Sequence, residues 1–173
     1  MTRTFCLLIT WGAVAQIGLF SIAGVYYLAD QDAFAQFTRS TLQLAIQWET
    51  VTSNQLYGLW LLTALYLSVG MTALYFLYRA FKSFAQGEFF SAQNSKSLKR
   101  FAIFLFAQAC LQPLHGALAS VLLSLNHPAG QKLLSLSIGS NEVRIIAIAM
   151  ILWVISELLI KGRELANENQ AFV

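Results

Sequence analysis

Three polar side chains recur on one face of an otherwise apolar stretch: Gln108, Gln112 and His115, spaced i, i+4, i+7. On a helix this spacing stacks them in one column. Two carboxamides and an imidazole can hold a small polar ligand or relay a proton. Polar groups inside a membrane segment are functional candidates by default, because burying them in lipid is costly. Pro113 lies among them and removes a backbone donor, which favours a kink or a freed carbonyl. Gly116 and Ser120 follow as a small-xxx-small pair suited to close helix approach. Gln16, Thr63, Ser68 and Thr72 add polar groups to the first two apolar stretches. The plainest role for all of these is hydrogen bonding between helices, worth around 0.6 kcal/mol each. No metal is expected at His115, since no second intramembrane His, Asp or Glu joins it, and no cofactor is expected. His127, beside Pro128, reads as a turn residue. Glu157 is the one acidic residue within a span. With Lys161 four residues on, it reads as an interfacial ion pair rather than a transport carboxylate.

A second constellation is basic. Arg79, Lys82, Lys96, Lys99 and Arg100 cluster between two apolar stretches, the last three at helical spacing. They set topology and meet anionic headgroups, at about 1 kcal/mol each near the surface. They also offer a docking surface for a cytoplasmic protein. Phe172 and Val173 are expected to join that surface by packing against Phe89 and Phe90. No nucleic-acid-binding module is visible, so direct nucleic-acid binding is not expected.

The elements that must position these groups are membrane helices. Of 173 residues, 57% are hydrophobic and only 11% charged, against about 45–50% and about 25% in soluble domains. A bilayer core needs roughly 20 helical residues. Four stretches qualify, at about 5–28, 56–78, 101–125 and 143–160. Connections fall at 29–55, 79–100 and 126–142, with a tail at 161–173. Arg3, the five loop residues, Lys161 and Arg163 lie on one side; Arg39, Lys132 and the border residue Arg144 lie on the other. The first side is therefore expected in the cytoplasm, with both termini. The run of about 24 apolar residues at the start exceeds the usual signal-peptide core, so cleavage is not expected. Cys6 and Cys110 have neither zinc-ligand nor redox-pair spacing and read as small apolar residues.

The outer connections alternate in polarity. Leu42, Leu44, Ile46 and Trp48 interleave with Gln43, Ala45, Gln47 and Glu49; Leu134, Leu136 and Ile138 interleave with Ser135, Ser137 and Gly139. Period two signals strands. The expected fold is an all-α four-helix transmembrane bundle, capped outside by a small two-stranded β element. Ser91 is the expected N-cap after the helix stop at Gly87, and Ser140 or Asn141 the N-cap of the last span.

The run Tyr78-Arg79-Ala80-Phe81, followed by Gly87-Glu88-Phe89-Phe90-Ser91-Ala92-Gln93-Asn94, resembles the inner loop of a bacterial membrane family known as domain of unknown function 2975 (DUF2975). The terminal run Gly162–Val173 and the Leu-Ser-Leu-Ser segment before the last span resemble that family too. The resemblance implies an uncharacterised bacterial inner-membrane protein of four spans. It also implies a helix-turn-helix regulator as a partner by family analogy.

There is no phosphate loop, dinucleotide fingerprint or nucleophile–base pair. An enzyme is not expected. The leading expectation is a regulatory or scaffolding membrane protein acting through Arg79, Lys82, Lys96, Lys99, Arg100, Phe172 and Val173. The alternative is a small-molecule binding or transport subunit using Gln108, Gln112 and His115. Expected partners are the lipid bilayer, a cytoplasmic protein and a second copy of the chain.

Overall fold

The structure, a computed structural model, describes residues 2–42, 45–87, 91–128 and 130–171. Five α-helices follow in order: α1 (Thr2–Ala29), α2 (Gln31–Leu42), α3 (Ser53–Ala85), α4 (Ala92–Leu123) and α5 (Ser140–Ala171). A 3₁₀ turn, Trp48–Thr50, precedes α3. Helices α1, α3, α4 and α5 are each long and apolar enough to cross a membrane. Large apolar side chains are exposed along all four, among them Trp11, Ile22, Leu65, Leu114, Ile151 and Leu158. Such surfaces face acyl chains, not water. The chain is a multi-pass membrane protein.

The four long helices do not close into a bundle. Helix α1 packs on α3, α3 on α4 and α4 on α5, while α1 meets neither α4 nor α5, and α3 does not meet α5. They form an open row with α3 and α4 at its centre. Their ends are set by local chemistry. Thr52 and Gln55 form a reciprocal capping box at the start of α3. Gly87, at φ +87°, follows the end of α3. Ser91 caps α4 by accepting from Asn94 N at 3.2 Å. Helix α4 continues through Pro113.

No β-strand is present among the described residues, which corrects the expected two-stranded element. Leu42 closes α2, Trp48 opens the 3₁₀ turn, and only 45–47 between them are irregular; Gln43 and Leu44 lie outside the described residues. Residues 131–139 form neither helix nor strand. Their backbone is bonded by serine side chains of α4 instead. Ser124 Oγ accepts from Leu133 N at 2.9 Å, and Ser120 Oγ accepts from Ser135 N at 2.8 Å. The two connections do meet, through side chains. His127 Nε2 accepts from Gln47 N at 3.1 Å, Gln47 Nε2 donates to Gln131 Oε1 at 2.6 Å, and Asn126 Nδ2 donates to Thr50 O at 3.1 Å. Accepting at Nε2 leaves the proton of neutral His127 on Nδ1, which faces Gln131 O at 3.0 Å. His127 is thus a buried clasp rather than a simple turn residue.

The sequence reading also passed over α2. Asp30 ends α1 and starts α2, its Oδ1 accepting from Ala33 N at 2.9 Å. Phe34 of α2 then joins Ile46, Leu56, Leu59, Ala119 and Leu123 in a core at this end of the row. This is the far end; the other, holding residues 79–100, is the basic end.

Candidate functional site

Depth along the row follows from its contacts. Gln55 donates to Leu122 O at 2.8 Å near the far end. Thr63 Oγ1 meets His115 Nε2 at 3.1 Å half-way down. Phe76 stacks on Phe104 at 5.7 Å towards the basic end. Helices α3 and α4 therefore run antiparallel with their apolar stretches level. Helix α5 is out of step. Glu157, fifteen residues beyond Glu142, already pairs with Lys99 of α4 at the basic end. The first turn of α5, Asn141 and Glu142, lies beside Gln108 and Gln112, in the middle of α4. From Gln112 to the last residue of α4, Leu123, the helix rises about 16 Å at 1.5 Å per residue. The fourth crossing is thus broken short of the far end: α5 starts at Ser140, about 25 Å along the helix from Glu157, and the segment 131–139 runs on beside the last turns of α4.

That arrangement explains the alternating polarity. Ser135 and Ser137 turn to α4, while Leu134, Leu136 and Ile138 are 73%, 62% and 69% exposed and face lipid. Non-helical backbone at this depth is tolerated only against protein or a cavity. Here the small side of α4, Gly116 with Ser120 and Ser124, supplies both close approach and hydrogen bonds. The distance from an ideal Cβ on Gly116 to Ser135 O is 4.0 Å.

Where the helix breaks, a polar recess opens. One cavity of about 150 Å³ is lined by Tyr66, Gln108, Ala109, Gln112, Asn141, Glu142 and Ile145. An adjoining one of about 140 Å³ shares Gln112 and Glu142 and adds Thr41 and Leu42 of α2, Pro113, Gly116, Ser135 and Ser137. Pro113 lacks the N–H that would bond the Ala109 carbonyl, and so leaves an acceptor on the recess wall. Glu142 reaches back to the start of its own helix, its Oε2 accepting from Gly139 N at 2.7 Å. This is half of a capping box. The N-cap position is Gly139, where Ser140 or Asn141 was expected. The side chains of Gln112, half-buried, and of Asn141 and Ser137, both exposed, have no hydrogen-bond partner among the described residues.

Of the three expected polar residues, the recess takes two. Gln108 lies against Gly70, where an added Cβ would stand 2.9 Å from its Cδ, and it hydrogen-bonds Tyr66. Gln112 points into the recess. His115 turns to α3 instead, bonding Thr63 and stacking on Tyr66 with ring centroids 4.9 Å apart. It lines a separate apolar pocket of about 220 Å³ with Leu62, Leu65, Leu111, Leu114 and Leu118. Tyr66 belongs to both pockets. The sequence does not single out Tyr66 or Glu142 as site residues, and it offers Asn141 only as a candidate N-cap. The signal that could have raised them is an amide and a carboxylate side by side, Asn141 and Glu142, immediately ahead of the last apolar stretch.

The basic end is largely engaged. Arg79 lies over Tyr75 at 5.9 Å and Arg100 over Phe76 at 5.4 Å. Lys82 Nζ donates to Tyr78 Oη at 3.3 Å. Lys99 pairs with Glu157, which also accepts from Trp153 Nε1 at 3.3 Å. The ion pair of Glu157 thus joins two helices, where an intrahelical pair with Lys161 was expected. Lys96 is exposed and without a partner among the described residues. Phe172, Val173, Phe89 and Phe90 lie outside the described residues. Among the described residues, no group of three or more His, Cys, Asp or Glu could hold a metal ion.

A family model described as protein of unknown function (DUF2975) matches residues 41–173. The chain belongs to the DUF2975 family. The match covers α3, α4, α5 and the segment 131–139, and with Thr41 and Leu42 every residue that lines the recess; α1 and most of α2 precede it. No curated protein and no solved structure matches this DUF2975 chain.

Proposed function

We propose that this DUF2975 protein is a membrane-embedded binding protein for a small polar molecule, which it takes into the recess from the far end. The observation that carries the reading is the set of unpaired polar groups at mid-depth. Carboxamides and hydroxyls in an apolar setting cost free energy unless bonded. Gln112, Asn141 and Ser137 converge on one space with the carboxylate of Glu142 and the ring of Tyr66. A ligand there meets donors and acceptors from both amides, the hydroxyl of Ser137 and a carboxylate suited to a donor or cationic group. Lys and Arg side chains are missing from the lining, which argues against an anion. The chemistry is recognition rather than turnover, since no nucleophile–base pair lines the recess.

The protein sits in the inner membrane of a bacterium with the basic end in the cytoplasm. Eight basic residues at that end, against Arg39 and Lys132 at the far end, support this orientation. The recess then opens to the extracytoplasmic side. The alternative, docking of a cytoplasmic protein on the basic loop, has less support, because four of its five cations are held by aromatic rings or Glu157. The test is thermal stabilisation of the purified protein in nanodiscs by a panel of small polar amines, alcohols and amides. At least one compound should raise Tm, and Gln112→Leu should abolish that rise. If none stabilises the protein, or Gln112→Leu leaves the rise intact, the reading fails.

A further inference from the structure

Arg144 stands two residues beyond Glu142 in the first turns of α5. At about 100° per residue it lies roughly opposite Glu142 on the helix. It therefore points away from the recess and from α4, the one long helix that α5 touches. The side chain is exposed and has no partner among the described residues. Arg144 lies about 20 Å along α5 from Glu157 at the basic end, so in a hydrocarbon core of about 30 Å this guanidinium is set in the apolar slab rather than at a surface. A bare charge there is strongly disfavoured and is met by snorkelling, by water or by a counter-charge.

Among the described residues the chain offers no such counter-charge. Glu142 faces the recess and bonds Gly139. Asp30, Asp32 and Glu49 sit in the far-end connections, and a second copy in the same orientation would place them no deeper. Beyond the first turn of α5 no helix continues the crossing: the segment 131–139 is laid on α4, with Thr41 and Leu42 of α2 beside Glu142 on the recess side. That segment and the helix start turn exposed Leu134, Leu136, Ile138 and Val143 outwards, an apolar surface for acyl chains.

We propose that Arg144 binds the phosphate of a phospholipid drawn down from the far-end leaflet. A guanidinium pairs with phosphate oxygens through two parallel N–H donors, which suits it to this role better than an ammonium. The headgroup descends into the space that a full-length helix would have filled, so the leaflet is thinned beside α5. This site is separate from the recess, on the other side of α5, and does not rest on what the recess binds.

The test uses the full chain in mild detergent with added phosphatidylglycerol, and counts retained lipid by native mass spectrometry. The parent protein should retain one lipid. Arg144→Gln should lower that adduct at least tenfold, Arg144→Lys should keep a weakened adduct, and Lys132→Gln should leave it unchanged. Diacylglycerol, which lacks the phosphate, should not be retained, and inorganic phosphate should not compete. Equal retention by Arg144→Gln, or equal retention of diacylglycerol, overturns the proposal. A photoreactive residue at Ile148, one turn on along the same face, supplies a readout in native membranes that leaves Arg144 intact. It should link to lipid; linkage to a protein instead would mean that a protein covers Arg144.

Discussion

Replacing Ser120 by alanine should release the segment 131–139 from α4. Ser120 is fully buried, and its Oγ accepts from Ser135 N at 2.8 Å. Alanine leaves that N–H without an acceptor in a place where a helix or sheet would have given it one. An orphaned buried donor costs about 1–3 kcal/mol, although interhelical bonds in membranes average nearer 0.6 kcal/mol because alternative partners are found. We expect about 1 kcal/mol for Ser120→Ala. For Ser120→Ala with Ser124→Ala we expect about 2 kcal/mol, since Leu133 N then loses its acceptor as well. The assay is hydrogen exchange read on peptides spanning 131–139 in nanodiscs. One kcal/mol corresponds to roughly fivefold faster exchange at Ser135, from RT of about 0.59 kcal/mol. Amides of α3 should keep their rates. Unchanged exchange at Ser135 in the double variant would refute the serine-bonded segment.

Other substitutions probe the rest of the architecture. Gly70→Ala should push the Gln108 carboxamide, the far end of a flexible side chain, off its bond to Tyr66 and cost only about 0.6 kcal/mol, because the new Cβ would stand 2.9 Å from Gln108 Cδ; thermal unfolding in micelles reads the loss, and a loss of several kcal/mol would contradict the packing. His127→Ala should cost about 1–3 kcal/mol by orphaning Gln47 N, and limited proteolysis should then cut the far-end connections first. Alkaline phosphatase fused after Gly130 should be active in cells and fused after Gly87 inactive, as the proposed orientation requires; the reverse pattern would invert the protein.

Much of this was legible in the residues. Four uncharged or nearly uncharged apolar stretches announce four long helices, and Ser91 and Gly87 mark the ends they were expected to mark. The alternation at 134–139 signals a strand, and none forms; what it tracks is the outward exposure of Leu134, Leu136 and Ile138. The segment's partner was not legible, because period two says only that alternate side chains face different surroundings. Here the buried side is serine and glycine on α4 rather than a second strand. The level of α5 was hidden for a related reason. Residues 143–160 have ordinary apolar length, and only packing between Lys99 and Glu157 at one end and Gln112 and Glu142 in the middle shows the helix displaced. His115 was grouped with Gln108 and Gln112 by helical spacing. The three angles differ enough that, once α5 and α3 lie on different sides of α4, Gln112 turns to the former and His115 to the latter. Helix α2 was missed because its segment, rich in Gln and Thr, has little apolar signal beyond Phe34 and Phe37.

The level of α5 carries the account, since the recess and the membrane-embedded position of Arg144 both follow from it. It is measured by nitroxide labels placed singly at Val143, Leu114 and Leu125, in a background with Cys6 and Cys110 replaced by serine. All three positions are exposed to the surroundings of the row. Collision with oxygen and with a water-soluble nickel chelate gives the depth of each label. Val143 should match Leu114, deep in the slab. A depth for Val143 equal to that of Leu125 would place the start of α5 at the surface and contradict the broken crossing.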